Sequence, residues 1–291
     1  MYKFDKVVMG IYEKALPKKE SWSKKIDIAK EAGYDFIEIS VDETDERLAR
    51  LDWNKEEVKE MKNLLIDKDF RIPSMTFSGQ KRFSMGSIDP SISGKSMDLM
   101  KKAIDLSDKL GIRVIQVTGY DVYYEERSEK TRDNFIKNLS KAVDWASKAC
   151  VTLAIENMEN TFINSVTKYM EISKIIDSPW LKIYPDLGNL AAWTHDEMYA
   201  ELEKGIKAQE IIAIHLKEAK RVTDTCKGIF REMEFGTGDV DFVKTFETLK
   251  KANYKGPFLV EMWNESSETP LEDIKKVKEW MMARMKEGGL I

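Results

Sequence analysis

Eight times along this chain a short, predominantly apolar run gives way to a longer stretch with helical spacing. That alternation restricts the fold more than any other property of the sequence. The runs are Val7–Glu13, Phe36–Val41, Arg71–Phe77, Arg113–Thr118, Thr152–Asn157, Leu181–Leu187, Ile211–Lys217 and Pro257–Trp263. Between them lies a helical stretch from Ser21 to Gly33, then one from about Asn54 with Glu57 placed for a capping box. Leu99, Ala103, Leu106 and Leu110 mark one helical face ending at Gly111, and Phe135, Leu139, Ala142 and Ala146 mark the next. Helices are expected over about Ser165–Ile176, Asp196–Lys207 and Asp241–Ala252, and Thr269-Pro270 opens the last. Strands apolar at nearly every position, each followed by a helix, predict a parallel sheet covered by helices. Eight such units predict closure into a (β/α)8 barrel of the TIM type. The alternative, an open doubly wound sheet, usually carries a glycine-rich phosphate turn after its first strand. Here Tyr12–Pro17 holds no glycine.

The 291 residues suit one or two domains by length, and no linker or composition step divides them, so one domain over 1–291 is expected. The net charge of −4, with both signs mixed, argues against general nucleic-acid binding. No stretch approaches the roughly 18 apolar residues of a membrane helix, and Met1-Tyr2-Lys3-Phe4-Asp5-Lys6 lacks the apolar core of a secretory signal. Two cysteines, Cys150 and Cys226, make neither a disulfide framework nor a thiolate zinc site, and fit a reducing cytoplasm. With only His195 and His215 present, chemistry needing three imidazoles is excluded, and any metal must lean on carboxylates.

Barrel enzymes take catalytic groups from the C-terminal ends of their strands. The fifth run ends in Ile155-Glu156, the sixth in Tyr184-Pro185-Asp186, the seventh in Ile214-His215 and the eighth in Val260-Glu261. The intervals of 30, 29 and 46 residues are two single repeats and one with a longer loop. Neighbouring strands lie about 4.8 Å apart, so four adjacent strand ends can converge on one ion. Three carboxylates and one imidazole suit one divalent metal ion, Zn2+, Mn2+, Co2+ or Mg2+. Taken singly, each carboxylate reads as a helix cap or loop ion pair, and His215 as a hydrogen-bonded core residue. Four in register favour the metal. His195, in a polar stretch opening a helix, reads as a surface or capping residue.

Longer strings carry a resemblance that runs nearly end to end. They are Gly10-Ile11-Tyr12-Glu13-Lys14-Ala15-Leu16-Pro17, Ser40–Leu48, Gly119-Tyr120-Asp121-Val122-Tyr123-Tyr124, Tyr184-Pro185-Asp186-Leu187-Gly188-Asn189 and Glu261-Met262-Trp263. On these the chain resembles the L-ribulose-5-phosphate 3-epimerases, also called L-xylulose-5-phosphate 3-epimerases, of the xylose-isomerase-like barrels. The resemblance implies metal ligands at Glu156, Asp186, His215 and Glu261, with Glu156 and Glu261 also moving protons. It implies a phosphosugar substrate, a cytoplasmic homodimer, and a role in pentose phosphate metabolism and L-ascorbate utilisation. The chemistry is consistent. Inverting a carbon beside a ketone removes a proton to give an enediolate and returns one from the opposite face. A divalent cation stabilises the charge that develops.

For the phosphate, Lys81 and Arg82 are candidates, the other reading being a solvated basic turn. Phe235-Gly236-Thr237-Gly238 offers backbone N–H groups to an anion, or makes a tight turn. Glu13 and Glu43 are candidate partners for sugar hydroxyls, with Lys217 also among the substrate-binding residues. Trp193 and Trp263 are candidate pocket walls or ordinary packing. Three features depart from the resemblance: Glu218 in His-Leu-Lys-Glu where Asp is expected, Glu159-Asn160 in place of a shorter acidic turn, and a longer loop over Ala219–Glu234. These bear on substrate identity more than on metal or reaction class. An apurinic endonuclease barrel needs more histidines than two. A free-sugar ketose 3-epimerase or aldose–ketose isomerase shares the site and is the alternative. A catalytically dead barrel is expected to lose a ligand, and all four are present.

Overall fold

The computed structural model describes residues 7–291; the Met1–Lys6 segment read for a signal lies outside the described residues. The strands are β1 Met9–Tyr12, β2 Phe36–Val41, β3 Ser74–Phe77, β4 Val114–Thr118, β5 Thr152–Glu156, β6 Leu181–Ile183, β7 Ile214–Leu216, β8 Lys220–Val222, β9 Lys227–Ile229 and β10 Phe258–Val260. The helices are α1 Trp22–Glu31, α2 Asp45–Leu48, α3 Lys55–Asp67, α4 Pro90–Leu110, α5 Glu129–Lys148, α6 Val166–Ile176, α7 Leu187–Thr194, α8 Met198–Lys207, α9 Phe242–Lys251 and α10 Pro270–Glu287. All eight predicted strands form one sheet in the order β6-β5-β4-β3-β2-β1-β10-β7, the strand complement of a TIM barrel.

The chain packs as two compact units. One takes the residues up to Ile37, then Asn164–Thr167 and Ile183–Ile291. In it β1 pairs in parallel with β10, Gly10 opposite Leu259, and β10 pairs with β7, Leu259 opposite His215. Gly10 is required here because a Cβ would come within 2.2 Å of the Phe36 ring. The other unit takes Glu38–Ile163 and Lys168–Lys182. Its ladders run β2–β3–β4–β5 in parallel, with Thr76 opposite Gln116 and Thr118 opposite Glu156. Its helices follow their sequence signals. The Asn54 side chain accepts from the N–H groups of Glu56 and Glu57 while Glu57 accepts from the N–H of Asn54, completing the capping box. Phe135, Leu139, Ala142 and Ala146 are fully buried along α5, and α4 stops at Gly111 in the left-handed region, φ 79°.

Several elements differ from expectation. Apart from β2, which matches its run, the strands are shorter than the apolar runs. Thr118–Glu156 is the last pair of β4–β5, and Asp186 meets His215 only as an isolated bridge. Helix α7 was not expected. All of Leu187–Ala192 is buried, so no polar face marks a helical period. Helix α8 accordingly starts at Met198, after a short 3-10 turn over His195–Glu197. Thr269 occupies the N-cap position of α10 without a side-chain cap bond; its hydroxyl donates to Asp273 instead. The polar stretch 219–234 contains the antiparallel hairpin β8–β9, closed by mutual backbone bonds between Thr223 and Cys226.

Gly10→Ala is expected to destabilise the protein by about 1–3 kcal/mol through overpacking against Phe36. Urea denaturation checks this, and an unchanged midpoint would contradict the close approach.

Candidate metal centre

Three of the four strand-end residues meet within one unit. Asp186 follows β6 and starts α7, its Oδ1 accepting from the Asn189 N–H at 2.6 Å. The capping role read for a lone strand-end carboxylate is thus realised by one oxygen, and Oδ2 faces elsewhere. It lies 3.9 Å from Nδ1 of His215 and 3.1 Å from Nζ of Lys217. His215 is central in β7, its N–H donating to the carbonyl of Pro185 and its ring packed edge-on to Tyr184 at 4.3 Å. Its Nδ1 is 2.9 Å from Oε2 of Glu261, the residue just past β10. The Lys217 ammonium also donates to Oδ1 of Asn189 at 2.9 Å, so a buried cation sits among buried acceptors.

This arrangement sets the charge of Glu261. Burial alone would raise its carboxyl, but the Lys217 ammonium and the His215 hydrogen bond overcome that and hold it far below the usual carboxylate range. Glu156, the last residue of β5, accepts from the side-chain amide of Gln116. Glu156, Asp186, His215 and Glu261 each offer one ligand atom, and these atoms all lie within 4.8 Å of one another. The donor set is oxygen-rich with one imidazole and is largely buried, which fits a divalent cation of the hard or borderline kind.

The remaining predicted residues are distributed as follows. Lys81 is buried rather than exposed; its ammonium is 3.7 Å from Oε1 of Glu159 and faces the rings of Tyr120 and Tyr123 at 5.3 and 4.7 Å. Burial, then the Glu159 charge, raise the Tyr120 phenol well above its ordinary value, so it stays neutral. Arg82 is exposed and pairs with the exposed Asp45 at 2.6 Å. Glu13 is fully buried and accepts from Lys25 at 3.2 Å, while Glu43 accepts from the Tyr124 hydroxyl. Trp263 packs edge-on to Tyr12 and carries Lys217 and Arg231 over its ring at 5.9 and 5.5 Å. It lines a cavity of about 240 Å³ with Lys217, Arg231 and Glu261. Trp193 is half-buried on α7, its Nε1 without a hydrogen-bond partner among the described residues. His195 ends α7 at φ 51° and its Nε2 meets the carbonyl of Val222 at 3.0 Å.

The glycine turn after the hairpin already has its anion. The Glu218 carboxylate, 2% exposed, accepts from the N–H groups of Ala219, Gly236 and Val240 at 3.1, 2.8 and 3.2 Å. Burial raises its carboxyl, and the N–H donors only partly offset this. Phe235-Gly236-Thr237-Gly238 is therefore a turn wrapped on an internal carboxylate.

The sequence profile of the xylose isomerase-like TIM barrel family matches residues 26–284. The chain is 44% identical over 285 residues to the L-ribulose-5-phosphate 3-epimerase UlaE of Escherichia coli O157:H7 (strain EC4115), covering 98% of this chain and 97% of that one. It is 45% identical over the same span to UlaE of Salmonella heidelberg (strain SL476). The chain belongs to the xylose isomerase-like TIM barrel family. Its likeness to the L-ribulose-5-phosphate 3-epimerases makes it an enzyme of the isomerase class. Among solved structures, an L-ribulose 3-epimerase superposes with a TM-score of 0.78 at 14% identity, over 97% of this chain and 96% of that one. A xylose isomerase-like barrel of Mycobacterium smegmatis in complex with magnesium superposes with a TM-score of 0.71 at 17% identity over the whole of both chains. At such identities these show the fold.

Within this family member, the polar partners that sequence reading missed are Gln116, Asn189, Arg231 and Tyr184. Each touches a strand-end residue or its lysine, or shares the cavity beside them, but none ends an apolar run, so position along the chain did not mark them. No helix among the described residues is long and apolar enough to cross a membrane.

Lys217→Met is expected to lower the melting temperature of the chelator-treated protein more than that of the Mn2+-loaded protein. Removing one partner from a buried ion pair costs about 3–5 kcal/mol, and a bound cation would replace the lost charge. Thermal unfolding with and without metal checks this; equal losses would contradict it.

Proposed function

We propose that the protein is a divalent-metal-dependent epimerase that inverts C3 of a ketopentose 5-phosphate, interconverting L-xylulose 5-phosphate and L-ribulose 5-phosphate. The observation that carries this reading is the 44% identity, across 98% of the chain, to proteins that bear the name L-ribulose-5-phosphate 3-epimerase. The cluster of Glu156, Asp186, His215 and Glu261 supports it with the donor set that such chemistry needs.

Those four residues would hold the cation. When bound, it supplies positive charge that stabilises an enediolate developing on the substrate. The chain's own residues do the rest. Glu261, beside Lys217 and His215, is one of two carboxyl groups that exchange a proton with carbon. Glu156 leaves from a different strand and is the second carboxyl group, returning a proton to the other face, with the roles exchanged in reverse. Lys217 holds Asp186 and Asn189 and presents positive charge beside Glu261, in the cavity walled by Trp263. For the phosphate, Arg82 is better placed than Lys81. Its partner Asp45 is an exposed carboxylate that an anion displaces readily in water, whereas Lys81 is enclosed by Glu159 and two tyrosine rings. Glu43 and Glu13 stand as partners for sugar hydroxyls. Trp193 is assigned to packing. From the family likeness we also take the enzyme to be a cytoplasmic homodimer serving pentose phosphate and L-ascorbate metabolism.

Incubation of the metal-supplied protein with L-xylulose 5-phosphate in D2O is expected to exchange the C3 proton and form L-ribulose 5-phosphate, followed by NMR. Glu156→Gln and Glu261→Gln are each expected to slow turnover by orders of magnitude. Absence of exchange in the wild type would remove the epimerase reading. Equal efficiency on free L-xylulose would favour a free-sugar enzyme.

A further inference from the structure

Gln116 stands out among the interior side chains. Alternation along β4 puts Ile115 and Val117 on one face and Gln116 and Thr118 on the other, and Gln116 is 0% exposed. An amide buried without compensation costs about 1–3 kcal/mol, so its presence in the interior needs a cause. Packing does not supply one. On the neighbouring strands its register partners are Thr76 and Ala154, and Thr76 gives its own hydroxyl to Glu38. The amide is used on one side alone: Nε2 donates to Oε2 of Glu156, and Oε1 has no hydrogen-bond partner among the described residues.

The choice of donor matters. A lysine or arginine at this position would neutralise Glu156 and weaken it both as a metal ligand and as a base. A histidine would compete as a ligand or take the proton. A carboxamide donates one directed hydrogen bond, adds no charge and has no proton to exchange at working pH. It therefore ties down one oxygen of Glu156.

We propose that Gln116 is a positioning residue for the epimerisation, fixing the rotation of the Glu156 carboxylate through the hydrogen bond it donates. This rests on the function proposed above and adds a residue to it. Outer partners of this kind are worth about ten- to a hundredfold in activity or metal affinity when removed.

The test compares Gln116→Met, which keeps the length and removes the donor, with Gln116→Glu, which keeps the shape and replaces the donor by an acceptor. Both are expected to lower kcat for L-xylulose 5-phosphate about ten- to a hundredfold with KM changed less than about threefold, and to weaken Mn2+ binding, read by direct titration, about tenfold. In a Glu156→Gln background, Gln116→Met is expected to add little to the loss of kcat, because the two residues act as a unit. A folded variant of either kind with kcat and Mn2+ affinity within twofold of the wild type would overturn the positioning role. So would full additivity with Glu156→Gln. A wild type that exchanges no C3 proton would instead overturn the epimerase reading, and with it the reaction that Gln116 is proposed to serve, while these comparisons with an active wild type bear on Gln116 alone.

Discussion

Like charges held together under cover are the constraint on which the rest depends. Glu156, Asp186 and Glu261 bring ligand atoms within 4.8 Å of one another and of His215. With an effective dielectric of about 20, each pair of carboxylates at that separation repels by roughly 3 kcal/mol. The chain answers with one buried cation, Lys217, held 3.1 Å from Asp186, and with an imidazole 2.9 Å from Glu261. A divalent cation held there, as proposed, would add positive charge among the three carboxylates.

The supporting residues keep those charges where they are by tying one oxygen of a carboxylate to a fixed donor. Asp186 gives Oδ1 to the first turn of α7, and Glu156 gives Oε2 to Gln116. Glu218 is bonded through both oxygens, for the scaffold. Its carboxylate gathers the backbone N–H groups of residues 219, 236 and 240, pinning the return of the chain after the hairpin. This holds the segment carrying Arg231 close to Trp263. The longer side chain at this position, a departure noted in the sequence, thus has a structural use in closing a longer loop.

The strands and the four converging residues were legible because they depend on local rules. A strand buried on both faces is apolar at each position, so a carboxylate or imidazole at its end is conspicuous. What escaped depends on neighbours distant in sequence. Helix α7 is buried over Leu187–Ala192 and carries no amphipathic period. Gln116 sits within its run and acquires a partner only through strand register, forty residues on. Lys81 and Arg82 are adjacent and alike as sequence, yet one is enclosed by Glu159 and tyrosine rings and the other faces water. The glycine turn offered N–H groups as expected, but the anion they hold comes from the chain itself.

The central claim is that Glu156, Asp186, His215 and Glu261 jointly hold one divalent ion, and metal content tests it most directly. Purified wild-type protein, loaded with Mn2+ and freed of excess by gel filtration, should retain about one ion per chain by elemental analysis. The folded Asp186→Ala variant should retain almost none. A variant that keeps the wild-type metal content, or a wild type that retains no divalent ion, would contradict the account.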